Sequence, residues 1–345
     1  MDLYSTTVLA GVSRGLRRPN NFLLSLFFQQ LIQSPTEDIK WDIEEDDLRP
    51  APFCSPVVEG KVVEERGYQT KTFTPAYVKD KRRLAPAAAL KRQIGEQIGG
   101  DDNQSPEARN RRRIAETMQK QVQGLNIRFE LMASDVLQDG KLLVDGEGFD
   151  AIEVDFGRDA GNTVVLTGAD RWGQTDIDPM DDLEEWSDTV LANSGVQVTD
   201  IVFGKDAWKQ FRKSPQFKEL VNMDNRGTAS HAELTAFAAE GAVLKGVLGS
   251  NEVRLWVYVQ KYRGTDGQLH DVMPADGVFM GSNSPEAQGI RYFGAILDEE
   301  AGLQAMEYFT KSRLIFDPSG REMLTQSAPL IGTPRANAFL AATVL

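Results

Sequence analysis

The side chains that carry most enzymatic chemistry are sparse in this chain. It has two histidines, His231 and His270, and a single cysteine, Cys54. One thiol makes no internal disulfide, and histidines without ligand spacing build no zinc or Cys-His site. His231 follows Arg226-Gly227-Thr228-Ala229-Ser230 in a loop-like stretch and His270 follows a hairpin turn, so both read as surface or edge positions. There is no Gly-x-Ser-x-Gly, no phosphate loop ending in Gly-Lys-Ser or Gly-Lys-Thr, and no Gly-x-Gly-x-x-Gly after a strand. Asp176-Ile177-Asp178-Pro179-Met180-Asp181-Asp182 has the carboxylate density of a calcium loop, yet an EF-hand needs glycine where Asp181 stands. The same residues describe a helix start, with Asp178 as N-cap, Pro179 in the first turn, and Asp181 and Asp182 against the positive end of the helix dipole. Paired carboxylates remain the one open chemistry, since 51 Asp and Glu offer many pairs for a hydrolase. Nothing in the spacing selects such a pair.

Charge, rather than reactivity, is what the sequence patterns. Lys79, Lys81, Arg82, Arg83, Lys91 and Arg92 form a basic run interrupted only by Asp80, and Arg109, Arg111, Arg112 and Arg113 form a second cluster. No nucleic-acid motif or aromatic interleaving accompanies them. A solvated charged face is the plain reading, and contact with an acidic protein surface is the alternative. The chain supplies such a surface itself: Glu37, Asp38, Asp42, Glu44, Glu45, Asp46 and Asp47 stand against only Lys40 and Arg49. Acids of one copy meeting bases of another is the arrangement this predicts.

The elements that must position these charges are unequally legible. Residues 1–55 lack a sustained amphipathic pattern apart from Phe22 to Ile32 and end in a Pro-rich run, which reads as an extended arm with one short apolar anchor. Residues 57–64 and 70–78 are β-branched and aromatic-rich around a turn at Arg66-Gly67-Tyr68, predicting a long hairpin. A lone hairpin is marginal in water, so it needs something to lie on. The clearest element is a helix opened by Ser105 and Pro106 and closed by Asp139-Gly140. Ile114, Met118, Val122, Leu125, Phe129, Met132 and Val136 fall on one helical face. Such a helix spans roughly 50 Å and serves as a spine. Arginines in its first turns oppose the macrodipole and call for acidic compensation.

Downstream, residues 141–144 and 151–156 read as a second hairpin, 178–195 as a helix, and 198–203 as a strand. Helices follow around 205–213 and 215–221. Strands are expected at 253–262 and 269–273, short apolar runs lie at 277–280 and 290–296, and 322–331 and 338–345 read as closing strands. The class is mixed α+β, with no regular βαβ alternation and no internal repeat.

With 345 residues, at about 150 per domain, the chain reads as about two domains. The formal charge of −13 argues against a surface that grips phosphates throughout. It is uneven: residues 135–200 hold 17 acids against 3 bases. No run approaches the roughly 18 apolar residues of a membrane span. Arg14, Arg17 and Arg18 before Phe22 to Phe28 mimic a signal peptide but start late and lack a cleavage site.

Several segments stand out in order and spacing: Ser55-Pro56-Val57-Val58-Glu59-Gly60, Phe73-Thr74-Pro75-Ala76-Tyr77-Val78-Lys79, Arg111-Arg112-Arg113-Ile114, Gly146-Glu147-Gly148-Phe149-Asp150 with Val154-Asp155-Phe156-Gly157-Arg158, Asp178-Pro179-Met180-Asp181-Asp182 and Gln326-Ser327-Ala328-Pro329-Leu330. Together they resemble the major capsid proteins of lambda-type tailed bacteriophages, the major capsid protein E family, over essentially the whole chain. The resemblance implies a Hong Kong 97-type capsid fold: an N-terminal arm at 1–55, an extended E-loop hairpin at 56–92, a peripheral domain at 93–184 and 296–345 with spine helix 105–138, and an axial domain at 185–295. It implies a non-enzymatic protein without cofactor or metal that self-assembles through hexamers and pentamers into the icosahedral shell around phage double-stranded DNA. Expected partners are other copies, a scaffolding protein, a portal protein and a decoration protein, with non-specific proximity to DNA and no membrane. Its expected place is the virion head, and the host cytoplasm during assembly. The chain begins directly at the arm, so a separate scaffold is expected, and no Lys-to-Asn cross-link is assigned, although Lys71 and Lys79 lie in the E-loop. Candidate inter-subunit contacts are Glu44, Glu45, Asp46, Asp47, Phe73, Tyr77, Lys79, Lys81, Arg82, Arg83, Arg111, Arg112 and Arg113. The alternatives are a prophage-derived or cellular compartment shell of the same fold and a carboxylate-dependent hydrolase.

Overall fold

The computed structural model describes residues 21–36, 38–43, 69–73, 75, 77–86, 106–146, 149–174, 176–217, 238–239, 241–248 and 253–345. The chain enters through helix α1 (Phe22–Phe27) and strands β1 (Gln30–Gln33), β2 (Ile39–Ile43), β3 (Gln69–Phe73) and β4 (Val78–Leu84). The long helix α2 (Pro106–Asp139) leads to β5 (Lys141–Gly146), β6 (Phe149–Asp155), β7 (Thr163–Val165), helix α3 (Pro179–Ser194), β8 (Asp200–Phe203) and helix α4 (Lys205–Phe211). The remaining strands are β9 (Ala238–Ala239), β10 (Ala242–Leu248), β11 (Val253–Tyr258), β12 (Lys261–Arg263), β13 (Leu269–Asp271) and β14 (Gly277–Gly281). They continue through β15 (Ile290–Phe293), β16 (Phe309–Ile315), β17 (Gly320–Ser327), β18 (Pro329–Gly332) and β19 (Phe339–Thr343).

A seven-stranded sheet in the order β7-β19-β14-β8-β11-β10-β9 carries the core. Alternation of side chains along each strand sends one set to each face. Val202, Trp256, Phe279 and Ala341 meet α1 and α2 on one side, whereas Ile201, Phe203, Leu255, Met280 and Leu340 meet α3 and α4 on the other. Covering both faces makes the central strands buried at every residue, as β8 and β14 are.

The predicted stripe of α2 is buried from Ile114 to Val136. Its end is built by two residues. Gly140 turns the chain at φ +65°, where a Cβ would lie 2.7 Å from Arg158, and Arg158 donates to the carbonyls of Val136 and Leu137 at 2.8 and 2.7 Å. Those carbonyls are among the last four of the helix, which have no partner inside it. α3 begins as its sequence predicts: Asp178 accepts the Met180 amide at 3.1 Å, and Gly195 ends the helix at φ +70°. The aspartates there form a helix start, and no cluster suited to a metal occurs among the described residues.

The structure refines several expectations. The described part of the arm is anchored in the body: α1 is buried apart from Ser25, and β1 pairs in parallel with β15. Gln69–Phe73 pairs with Ile39–Ile43, and its expected partner 57–64 lies outside the described residues. Lys79 to Arg83, read from the sequence as a basic run after the hairpin, belong to a strand paired with β17. The expected strand 322–331 breaks at Ala328, because β17 joins β16 and β4 whereas β18 joins β15. The large sheet also crosses the boundaries drawn at 185 and 295, since β7 and β19 flank the strands between them.

Candidate assembly interface

Lys79, Lys81, Arg82 and Arg83 of the basic run sit on β4, an outer strand of the sheet β16-β17-β4, whereas Lys91 and Arg92 lie outside the described residues. Exposure alternates along it, so Lys79, Lys81 and Arg83 face outward while Asp80 and Arg82 are half-buried. The strand is clipped to the spine by Gln121, buried on α2, whose amide donates to the carbonyls of Asp80 at 2.7 Å and Met323 at 3.1 Å. Thr325 returns a hydrogen bond to the Gln121 oxygen at 3.1 Å. A rigid helix therefore carries a strand edged with cations.

Two of these four cations, Lys81 and Arg82, have acidic neighbours in the same chain. Arg82 makes a two-nitrogen contact with Asp80 at 2.8 to 3.1 Å. Glu322 lies between Lys81 at 3.1 Å and Arg313 at 2.7 Å, and hydrogen bonds from both hold its carboxyl below the usual glutamate range. Two cations share one acid there, so the outer face keeps a positive excess. Arg83 donates to the Pro318 carbonyl at 3.1 Å. On α2, Arg112 pairs with Glu116 at 3.2 Å one turn on, which supplies part of the compensation its position requires, and Arg113 donates to the Ala85 carbonyl at 3.2 Å. Arg111 is exposed. β4 and the start of α2 thus meet through Ala85, joining two basic clusters that are separate in sequence.

The aromatic candidates look inward. Phe73 is 9% exposed and packs in the main core opposite Ile39. The Tyr77 hydroxyl donates to the Ala295 carbonyl at 2.9 Å and accepts from the Leu297 amide at 2.7 Å, with the Lys79 ammonium 5.0 Å above its ring. Both residues fix the base of the hairpin to their own chain. Glu44, Glu45, Asp46 and Asp47 lie outside the described residues.

Two features were not read from the sequence. The turn between β16 and β17 presents Phe316, 96% exposed, next to Leu314 near the end of β16, 67% exposed. Isolated apolar side chains at the surface are ordinary, but Leu314 and Phe316 together form a candidate contact surface at this hairpin. Its signal was the Leu314-Ile315-Phe316 triplet ahead of Asp317-Pro318. The second is the seat of the arm. Phe22 packs on Trp256 and Tyr258 at centroid distances of 5.1 and 5.2 Å, and Phe27 meets Phe339 edge-on at 5.5 Å. Gly281 and Gly289 leave the room, since a Cβ would come within 2.5 Å of Phe339 at the first and 2.2 Å of Phe28 at the second.

A family model described as phage major capsid protein E matches residues 5–344. The major capsid protein of Escherichia phage N15 is 32% identical over 343 residues, covering 96% of each chain. That of Escherichia phage lambda is 31% identical over 342 residues, again covering 96% of each. Among solved structures, one assigned as the capsid protein of a prophage of Escherichia coli CFT073 superposes over 100% of both chains with a TM-score of 0.75 at 26% identity. The architecture is therefore the Hong Kong 97-type α+β capsid fold.

Proposed function

This chain belongs to the phage major capsid protein E family, and from that premise we propose how its parts build a shell. It is a structural protein of the phage head rather than an enzyme, and its copies assemble into the capsid. The observation that carries this is the full-length match, which takes in the spine, the sheets and the arm together.

In the proposed shell, capsomers of six and five copies form by heterologous contacts, each using different surfaces on its two neighbours, so rings close only at the correct rotation. A standard interface buries about 1,600 Å². Contacts that small, repeated around every copy, suffice for a stable shell while leaving each one adjustable. The outward cations Lys79, Lys81 and Arg83, with Arg111 to Arg113 at the start of the spine, receive an acidic surface of a neighbour, and Glu44 to Asp47 are the chain's own complement. Phe316 supplies an apolar contact at a third point. The proposed division is an arm at 1–55, an E-loop at 56–92, and peripheral and axial domains that share one sheet. The acidic body faces packaged double-stranded DNA and repels it, which suits a container that fills and empties. Scaffolding, portal and decoration proteins are the proposed partners, and assembly takes place in the host cytoplasm.

Expression of the full chain with its neighbouring scaffold gene, followed by sedimentation and negative-stain electron microscopy, tests this reading. Closed shells are expected. Soluble monomers under every assembly condition would contradict it.

A further inference from the structure

Glu130 lies on the buried side of α2 with 0% exposure, an acid among Leu125, Phe129 and Ala133. Its carboxyl reaches two other elements. Oε1 accepts from the Leu23 amide at 2.7 Å and lies 2.7 Å from the Tyr258 hydroxyl, while Oε2 accepts from the Leu24 amide at 3.2 Å. Those amides open α1, and Tyr258 ends β11. One buried side chain therefore joins the arm, the spine and the large sheet.

Counting protons at this junction shows which form of the carboxyl fits. The Tyr258 oxygen is 2.7 Å from Glu130 Oε1 and also 2.7 Å from Gln260 Oε1. A hydroxyl has one proton to give, and an amide oxygen has none. Both short contacts are hydrogen bonds when Glu130 is neutral: its O–H donates to Tyr258, and Tyr258 donates to Gln260. When Glu130 is ionised, Tyr258 must turn to it, leaving the Gln260 oxygen against a lone pair until that amide turns over. We propose that the neutral Glu130 carboxyl is a latch closing the arm helix onto the body, and that its ionisation loosens the arm while leaving the rest folded.

The surroundings act in the same direction. Burial pushes the Glu130 carboxyl up from 4.5 to about 7, against smaller opposing pulls from the Leu23 amide, the Tyr258 hydroxyl and the Leu24 and Phe22 amides. α1 presents only backbone to it, and β11 presents Tyr258, whose own ionisation is pushed far upward by burial and by Glu130. No lysine, arginine, histidine or second carboxylate acts on it among the described residues. A carboxyl raised in the closed state holds its proton more tightly there than in an open, solvated arm. The closed state is thus favoured in full below about 4.5 and loses that advantage as pH rises through about 7. The gap between those values caps the change in the opening equilibrium at about 300-fold.

Hydrogen exchange on the full-length chain, followed at the amides of residues 22–28 and corrected for intrinsic exchange, reads the opening directly. Between about pH 5.5 and 8, opening should rise roughly 25-fold in the native sequence. E130Q has no proton to lose over this range, although its NH2 cannot both donate to Tyr258 and accept from the Leu23 amide; its opening, read by its pH slope rather than its level, should change less than about twofold, with Val202 and Phe279 unmoved in both. Opening that is independent of pH in the native sequence, or an equal slope in E130Q, overturns the latch. Infrared titration of the native chain is a second reading that needs no variant. A protonated-carboxyl band persisting at about pH 6.5 and lost in Tyr258→Phe or shifted in its midpoint supports the latch, and the absence of any such band above about pH 5.5 overturns it. Both measurements concern the arm of a single chain, so their outcome is separate from whether shells form.

Discussion

Asp200 is fully buried at the start of β8 and is surrounded by donors: the Trp256 indole at 2.9 Å, the Arg254 guanidinium at 2.7 Å and the Thr199 hydroxyl at 2.8 Å. Replacing it with alanine strands the indole and one end of a guanidinium inside the protein. Because Arg254 is 36% exposed and recovers water contacts, Asp200→Ala should destabilise the chain by about 2–3 kcal/mol in denaturant unfolding, below the cost of breaking a wholly buried pair. A cost below about 0.5 kcal/mol would show that water already serves these donors. Arg158 is the other residue whose part is larger than its sequence context suggests. Burial lowers its guanidinium to about 10, yet it holds the spine's last carbonyls in a fork that a lysine cannot reproduce. Arg158→Lys should cost about 1–2 kcal/mol by the same measurement. Glu322 responds in the opposite sense to Glu130. Its carboxyl is held below 4.5 by Lys81 and Arg313, so its help to the β4–β17 pairing is present above that value and lost as pH falls through its lowered one.

At the scale of elements, the arm decides most. α1 places five apolar side chains in the core, and Gly289 admits Phe28 with no space for a methyl group. Gly289→Ala should therefore push Phe28 out of its site and destabilise the subunit by about 1–3 kcal/mol, seen as a lower thermal midpoint with raised exchange at 22–28. The spine, α3 and its caps were legible in the sequence because their signals are local: a 3.6-residue stripe, an aspartate followed by proline, and a glycine at the end. The seat of the arm was not. Phe22 to Phe28 read as a short apolar anchor, but the surface receiving it is assembled from Trp256, Tyr258, Gly281, Gly289 and Phe339, which are far apart in the chain. The hairpin shows the same limit. Its base was readable from composition, but Phe73 and Tyr77 are fastened to residues 39 and 295–297 by pairings no local pattern encodes. An internal deletion reaching residue 78 should consequently unfold part of the subunit, because it removes Phe73 from the core.

For the whole molecule, the division of charge outweighs its sum. The basic residues 79–83 and 111–113 were visible in the sequence, but only the fold brings them together, through Ala85 and Arg113. It also sets part of that charge internally against Asp80, Glu116 and Glu322, and the remainder is what we propose a neighbour's acidic surface receives. Reversing Arg111, Arg112 and Arg113 to glutamate should leave circular dichroism and thermal unfolding close to the native chain while stopping shell growth. A native yield of intact particles from that variant would remove charge pairing from the account. Phe316→Ser should act similarly, because a side chain 96% exposed contributes almost nothing to its own subunit. The most direct test of the central claim is a three-dimensional electron cryomicroscopy reconstruction of the particles formed by the full chain with its scaffold. The account predicts an icosahedral shell of pentamers and hexamers in which Arg111 to Arg113 of one copy face acidic side chains of another. Small discrete oligomers, or a shell whose contacts leave those arginines in open solvent, would contradict it.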